Sequence, residues 1–201
     1  MLELSIAILA GGKGSRMGSD KAFLKVNGLP FLRVIYDRIS GLSDDIMIII
    51  GNKEDKEFKN SLPIQTRILK DSVYTMSPVG GLLTAAQSSR HQYFAVLAVD
   101  MPLINPKVIE MLYFKAQNHS AALPVLKDGT LEVLCAVYNK ADLKEIKPNS
   151  VTSVKELVRK LPDPIFIDAE KFIDVDPGLD SFFNVNTKED LKVLMKKLQL
   201  V

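Results

Sequence analysis

Ile6-Ala7-Ile8-Leu9-Ala10-Gly11-Gly12-Lys13-Gly14-Ser15-Arg16-Met17-Gly18-Ser19-Asp20-Lys21 is the stretch from which the fold can be read. Residues 6–10 are apolar without alternation, which predicts a strand buried on both faces, as in a parallel sheet covered by helices. Glycines at 11, 12, 14 and 18 then let the backbone take positive φ and come close to a ligand with no Cβ in the way. Backbone N–H groups in such a loop can converge on phosphate oxygens, with Lys13, Arg16 and Lys21 adding charge. Two familiar cradles are excluded. No Gly-Lys-Ser/Thr closes a Walker A loop, and Met17 stands where the third glycine of G-x-G-x-x-G belongs. The same residues would also serve a tight turn, with Lys21 paired to Asp20 in solvent.

Outward from this stretch, residues 46–50, 94–99, 121–125 and 133–138 are further short apolar runs that predict strands. Residues 31–40, 82–89 and 108–117 carry helical spacing between them. The alternation predicts a three-layer α/β/α sandwich around a mostly parallel, Rossmann-like sheet, with residues 1–201 as one domain. The stretch 161–164 reads as a surface turn. A last helix is predicted from about Lys188, with Leu191, Leu194, Met195 and Leu198 as its apolar stripe. Thr187 and Asp190 are placed to cap it reciprocally.

Composition narrows the partners. Among 201 residues, 26 Lys+Arg against 24 Asp+Glu leave a charge of +2, too balanced to suggest nucleic acid or a membrane surface. Cys135 is the only cysteine and sits in an apolar run, so we expect a buried, inert thiol. His91 and His119 lack ligand-like spacing, which argues against a histidine metal site. No apolar run reaches the roughly 18–20 residues of a membrane span. Residues 4–10 follow an acidic residue and lead into glycines rather than a cleavage site, so the chain is expected in the cytoplasm.

Two more elements carry chemistry. Asp100-Met101-Pro102 follows an apolar strand, and in open α/β sheets ligands collect beyond the carboxyl ends of strands. A carboxylate there, beside a phosphate cradle, can hold Mg²⁺, although a turn cap ahead of Pro102 would look the same. Ser77-Pro78-Val79-Gly80-Gly81 sets paired glycines at a helix start, where backbone amides can meet a nucleotide or simply form a turn.

Taken in order, Leu9-Ala10-Gly11-Gly12, Arg16-Met17-Gly18, Asp20-Lys21-Ala22, Asp71-Ser72, Pro78-Val79-Gly80-Gly81, Asp100-Met101-Pro102 and Asn184-Val185-Asn186-Thr187 resemble the molybdenum cofactor guanylyltransferase family, within the nucleotide-diphospho-sugar transferase fold. The resemblance spans nearly the whole chain. It implies transfer of GMP from GTP to molybdopterin with release of pyrophosphate, and Mg²⁺ as cofactor. Leu9, Ala10, Gly11, Gly12, Lys21, Asp71, Gly80, Gly81 and Asp100 would hold the nucleotide, with Asp100 also on the metal. Lys21 and Asp100 would be the catalytic pair, and Arg16, Asn184 and Asn186 would face the acceptor. Other proteins of cofactor biosynthesis would be its partners. Ser77 replaces a glycine common in the family, and Leu131-Glu132-Val133-Leu134 lacks a proline often found in a region associated with the acceptor. Three rivals share parts of this pattern: transfer from CTP or onto a sugar or polyol phosphate, a dinucleotide-binding oxidoreductase, and a non-catalytic nucleotide-binding protein.

Overall fold

The computed structural model describes residues 1–11, 20–63, 66–71 and 77–199. The strands are β1 (Leu4–Leu9), β2 (Lys25–Val26), β3 (Leu29–Pro30), β4 (Asp45–Ile49), β5 (Arg67–Leu69), β6 (Tyr93–Ala98), β7 (Ala121–Val125), β8 (Cys135–Asn139) and β9 (Pro164–Asp168). The helices are α1 (Phe31–Ile39), α2 (Lys56–Ser61), α3 (Val79–Ser88), α4 (Pro106–Ala116), α5 (Lys140–Leu143), α6 (Val154–Arg159) and α7 (Lys188–Gln199).

Seven strands form one sheet in the order β5-β4-β1-β6-β8-β7-β9, with β2 and β3 pairing apart. β1 runs parallel to both β4 and β6, and β7 runs parallel to β9. β8 runs against both of its neighbours. β1, β4 and β6 are buried almost end to end, as their unbroken apolar runs require. One core joins the sheet to α1, α2 and α4, and the other joins it to α3, α5 and α6. The expected sandwich with its mostly parallel sheet is therefore present.

The departures are local. β5 and β9 are short edge strands with half-exposed side chains, so no apolar run marked them. β9 starts at Pro164, in the 161–164 stretch read as a turn, and proline is tolerated at the first residue of an edge strand. β8 starts at Cys135 because Val133 and Leu134 form a turn. α3 starts at Val79, with both glycines inside its first turn.

In α7, Leu194 is fully buried against Val26, Phe31, Leu103 and Val185, flanked by Leu191 and Leu198. Met195 is 41% exposed, because this small satellite core accepts a narrower stripe than the spacing suggested. The reciprocal cap is present. Asp190 N–H donates to Thr187 Oγ1 at 3.1 Å, and Thr187 N–H donates to the Asp190 carboxylate at 2.8 Å.

Candidate active site

The chain builds β1, β4 and β5 outward on one side, then crosses back to place β6 against the other edge of β1. That reversal is a topological switch point, and the crevice beyond the carboxyl ends of β1 and β6 is where such sheets bind ligands. Leu9 pairs with Ala98 across it, and the Val99 N–H donates to Leu9 O at 3.2 Å. Gly11 and Asp100, each two residues further on, leave the sheet side by side.

Gly11 is confined by its neighbour. A Cβ there would lie 2.9 Å from the backbone N of Gly51, which itself holds φ of +63° at the end of β4. The two glycines let adjacent strand ends touch through backbone alone. Asp71 N–H donates to Gly51 O at 3.3 Å, so Asp71 joins the same rim. Opposite it, a Cβ on Gly81 would meet the Leu9 side chain at 3.2 Å and Asp71 Oδ1 at 3.6 Å. Leu9, Asp71 and Gly81 thus converge, with Gly80 buried beside them in the first turn of α3. Among the described residues Asp71 Oδ1 is buried with no hydrogen-bond partner, and burial pushes its carboxyl above the usual range.

The polar centre is Lys21. Asp20 caps the short 3₁₀ turn at Lys21–Phe23 by accepting from Ala22 N–H at 3.1 Å. Lys21 Nζ then donates to Asp100 Oδ2 at 2.8 Å and to Asn186 Oδ1 at 2.6 Å. Segments 79 and 165 residues from Lys21 meet on one ammonium. The solvent pairing of Lys21 with Asp20 does not occur, because Asp20 pairs instead with Lys53 at 2.5 Å. Asp100 is not a cap either. Its Oδ2 faces Lys21, and its Oδ1 is buried with no partner among the described residues. Asn184 stays local, donating to Phe182 O at 3.4 Å, while Val185 N–H on Asp100 O ties this segment to the rim. Gly12 and Arg16 lie outside the described residues.

Lys53 was not anticipated. Its ammonium also donates to Ala10 O at 2.7 Å and lies over the Phe58 ring, so it holds Ala10 and Asp20, the two feet of the glycine-rich stretch. A lysine four residues after a strand carries no signal of its own in the sequence. Cys135 is fully buried, and burial raises its thiol far above the ordinary value, as befits an inert residue.

This fold, with its polar cluster at the switch point, defines the nucleotide-diphospho-sugar transferase class of α/β protein. The chain belongs to the MobA-like NTP transferase domain family, whose pattern it matches over residues 6–164. A Methanosarcina mazei protein named "Probable molybdenum cofactor guanylyltransferase" is 31% identical, over 94% of this chain and 88% of that one. A Thermococcus gammatolerans protein of the same name is 32% identical, over 94% and 98%. Among solved structures, molybdopterin-guanine dinucleotide biosynthesis protein A from Archaeoglobus fulgidus superposes with a TM-score of 0.84 at 23% identity, over 98% of this chain and 100% of that one. Among the described residues no helix is long and apolar enough to cross a membrane.

Proposed function

We propose that this chain transfers GMP from GTP to the terminal phosphate of molybdopterin and releases pyrophosphate, with Mg²⁺ held at Asp100. The observation that carries this reading is the bridge from Lys21 to Asp100 and Asn186 at the switch point. The names of the relatives support both the guanine nucleotide and the acceptor. The glycines themselves do not distinguish bases.

The residues present fit a hard cation. Asp100 Oδ1 is a buried oxygen without a partner among the described residues, and Mg²⁺ commonly takes one or two carboxylates together with substrate phosphates and water. When bound, the cation supplies charge neutralisation on the phosphates. Lys21 adds a fixed positive charge where the α-phosphorus is attacked in line and pyrophosphate departs. An already ionised phosphate nucleophile needs no general base, so the protein's work is positioning and electrostatics. Leu9, Ala10, Gly11, Gly12, Asp71, Gly80 and Gly81 serve the nucleotide. Arg16, Asn184 and Asn186 serve the acceptor.

Purified protein with molybdopterin and Mg²⁺ should release pyrophosphate from GTP in preference to CTP, ATP or UTP. Mass spectrometry should show the guanine dinucleotide product. Equal or better turnover of CTP would remove the nucleotide assignment, and turnover of a sugar or polyol phosphate instead of molybdopterin would remove the acceptor.

A further inference from the structure

Glu132 is the buried carboxylate that the preceding reading leaves unused. It is only 8% exposed, yet among the described residues its carboxylate receives no hydrogen bond and joins no ion pair. Its place follows from an irregularity in the sheet. On the β7 side, pairing steps from Ala122–Val137 to the isolated bridge Val125–Leu131, three residues along β7 against six along its partner. The extra residues make a wide bulge just ahead of β8, a device that re-aims side chains beside active sites. Glu132 N–H is anchored on Pro124 O at 3.0 Å. On the other side the ladder with β6 keeps its register to Ala98 N–H on Leu134 O, at 2.9 Å. Two residues beyond Ala98 stands Asp100, and two residues before Leu134 stands Glu132.

The flanking Leu131 and Val133 pack into the core under α3, away from Cys135, which belongs to the opposite core. A carboxylate held at 8% exposure with no bonded partner among the described residues weakens the fold, so a scaffold role would be better served by an uncharged residue. Lys21 is already bonded to Asp100 Oδ2, and among the described residues the second Asp100 oxygen has no partner. The arrangement is one cation short.

We infer that Glu132 and Asp100 together form a two-carboxylate site for a divalent cation, with Glu132 approaching from the β8 side of the crevice. The inference rests on the reading of Asp100 as a metal residue, and the test separates the two. Mn²⁺ serves as the probe, titrated in the presence of a non-hydrolysable GTP analogue and followed by the EPR signal of the free ion. Glu132→Gln should weaken Mn²⁺ binding about tenfold or more, while nucleotide affinity without metal stays unchanged. Its metal-free melting temperature should rise, as removal of a buried, unpartnered charge requires and as loss of a structural contact would not produce. Glu132→Asp keeps the charge and should retain more Mn²⁺ affinity than the glutamine variant. Unchanged Mn²⁺ affinity in Glu132→Gln, with loss in Asp100→Asn, overturns the role of Glu132 and leaves Asp100 in place. Unchanged affinity in both removes the metal centre itself.

Discussion

Lys21→Met keeps the aliphatic stem and deletes the ammonium on which three segments meet. Asp100 Oδ2 and Asn186 Oδ1 each lose a donor, from 2.8 and 2.6 Å, and Asp100 is left with no partner on either oxygen. A hydrogen bond to a charged group contributes about 1.5–3 kcal/mol when sealed from water. The two side chains of the ion pair retain 19% and 20% exposure, so water partly replaces what is lost. We expect a net loss of roughly 1–2 kcal/mol, or about 5 °C in Tm for a chain of this size. The effect on rate should be larger. Removing one preorganised charge aimed at a developing anion costs about 10²–10³ in kcat. Mg²⁺ bound at the freed Asp100 should recover the melting temperature without recovering the rate. The assays are thermal melting with and without Mg²⁺, calorimetry of GTP binding, and pyrophosphate release at saturating GTP and molybdopterin. A rate within threefold of wild type alongside the full loss of Tm would show that Lys21 only braces the crevice, and the catalytic reasoning would fail.

Asp71→Asn should weaken GTP binding while stabilising the metal-free fold. Burial raises the folded Asp71 carboxyl, so its stabilising influence is complete below the ordinary aspartate range and is lost as pH climbs through the raised value. The Tm gap between variant and wild type should therefore open with rising pH, and a gap independent of pH would refute the account. Asn184→Ala and Asn186→Ala should part company. Asn184 has no contact with Lys21 and should affect only the apparent requirement for molybdopterin, whereas Asn186 should affect GTP turnover as well. Identical kinetic profiles for the two variants would contradict this division.

What the sequence could and could not reveal follows the range of each interaction. Leu9, Gly11 and Asp100 were legible because a buried strand announces itself by unbroken apolar residues and its end by glycine or aspartate. The cap on α7 was legible for the same local reason. The partner of Lys21 was not, since neither Asp100 nor Asn186 is near it in the chain and Asp20 stood next door as an equally good anion. Lys53 carries no pattern, and its hold on Ala10 and Asp20 exists only once β4 lies beside β1. Glu132 was visible only as part of a segment missing a proline. Its place near Asp100 depends on a bulge that no periodicity encodes.

β8 runs the opposite way from the strands it borders, so at the crevice it arrives where β1 and β6 depart. It is entered from a tight turn closed by Leu126 N–H on Thr130 O, with Gly129 at φ of +81°. One bank of the crevice is therefore a hairpin tip, while the other is made of strand ends locked between parallel neighbours. Lengthening or tilting residues 126–134 would leave the register of β1 and β4 untouched, whereas any side chain at Gly11 would collide with Gly51. The architecture separates what can drift from what must stay. Lineages that inherit this scaffold would diversify most readily by editing the hairpin, reshaping one bank of the crevice while the strand ends of the other are passed on unchanged.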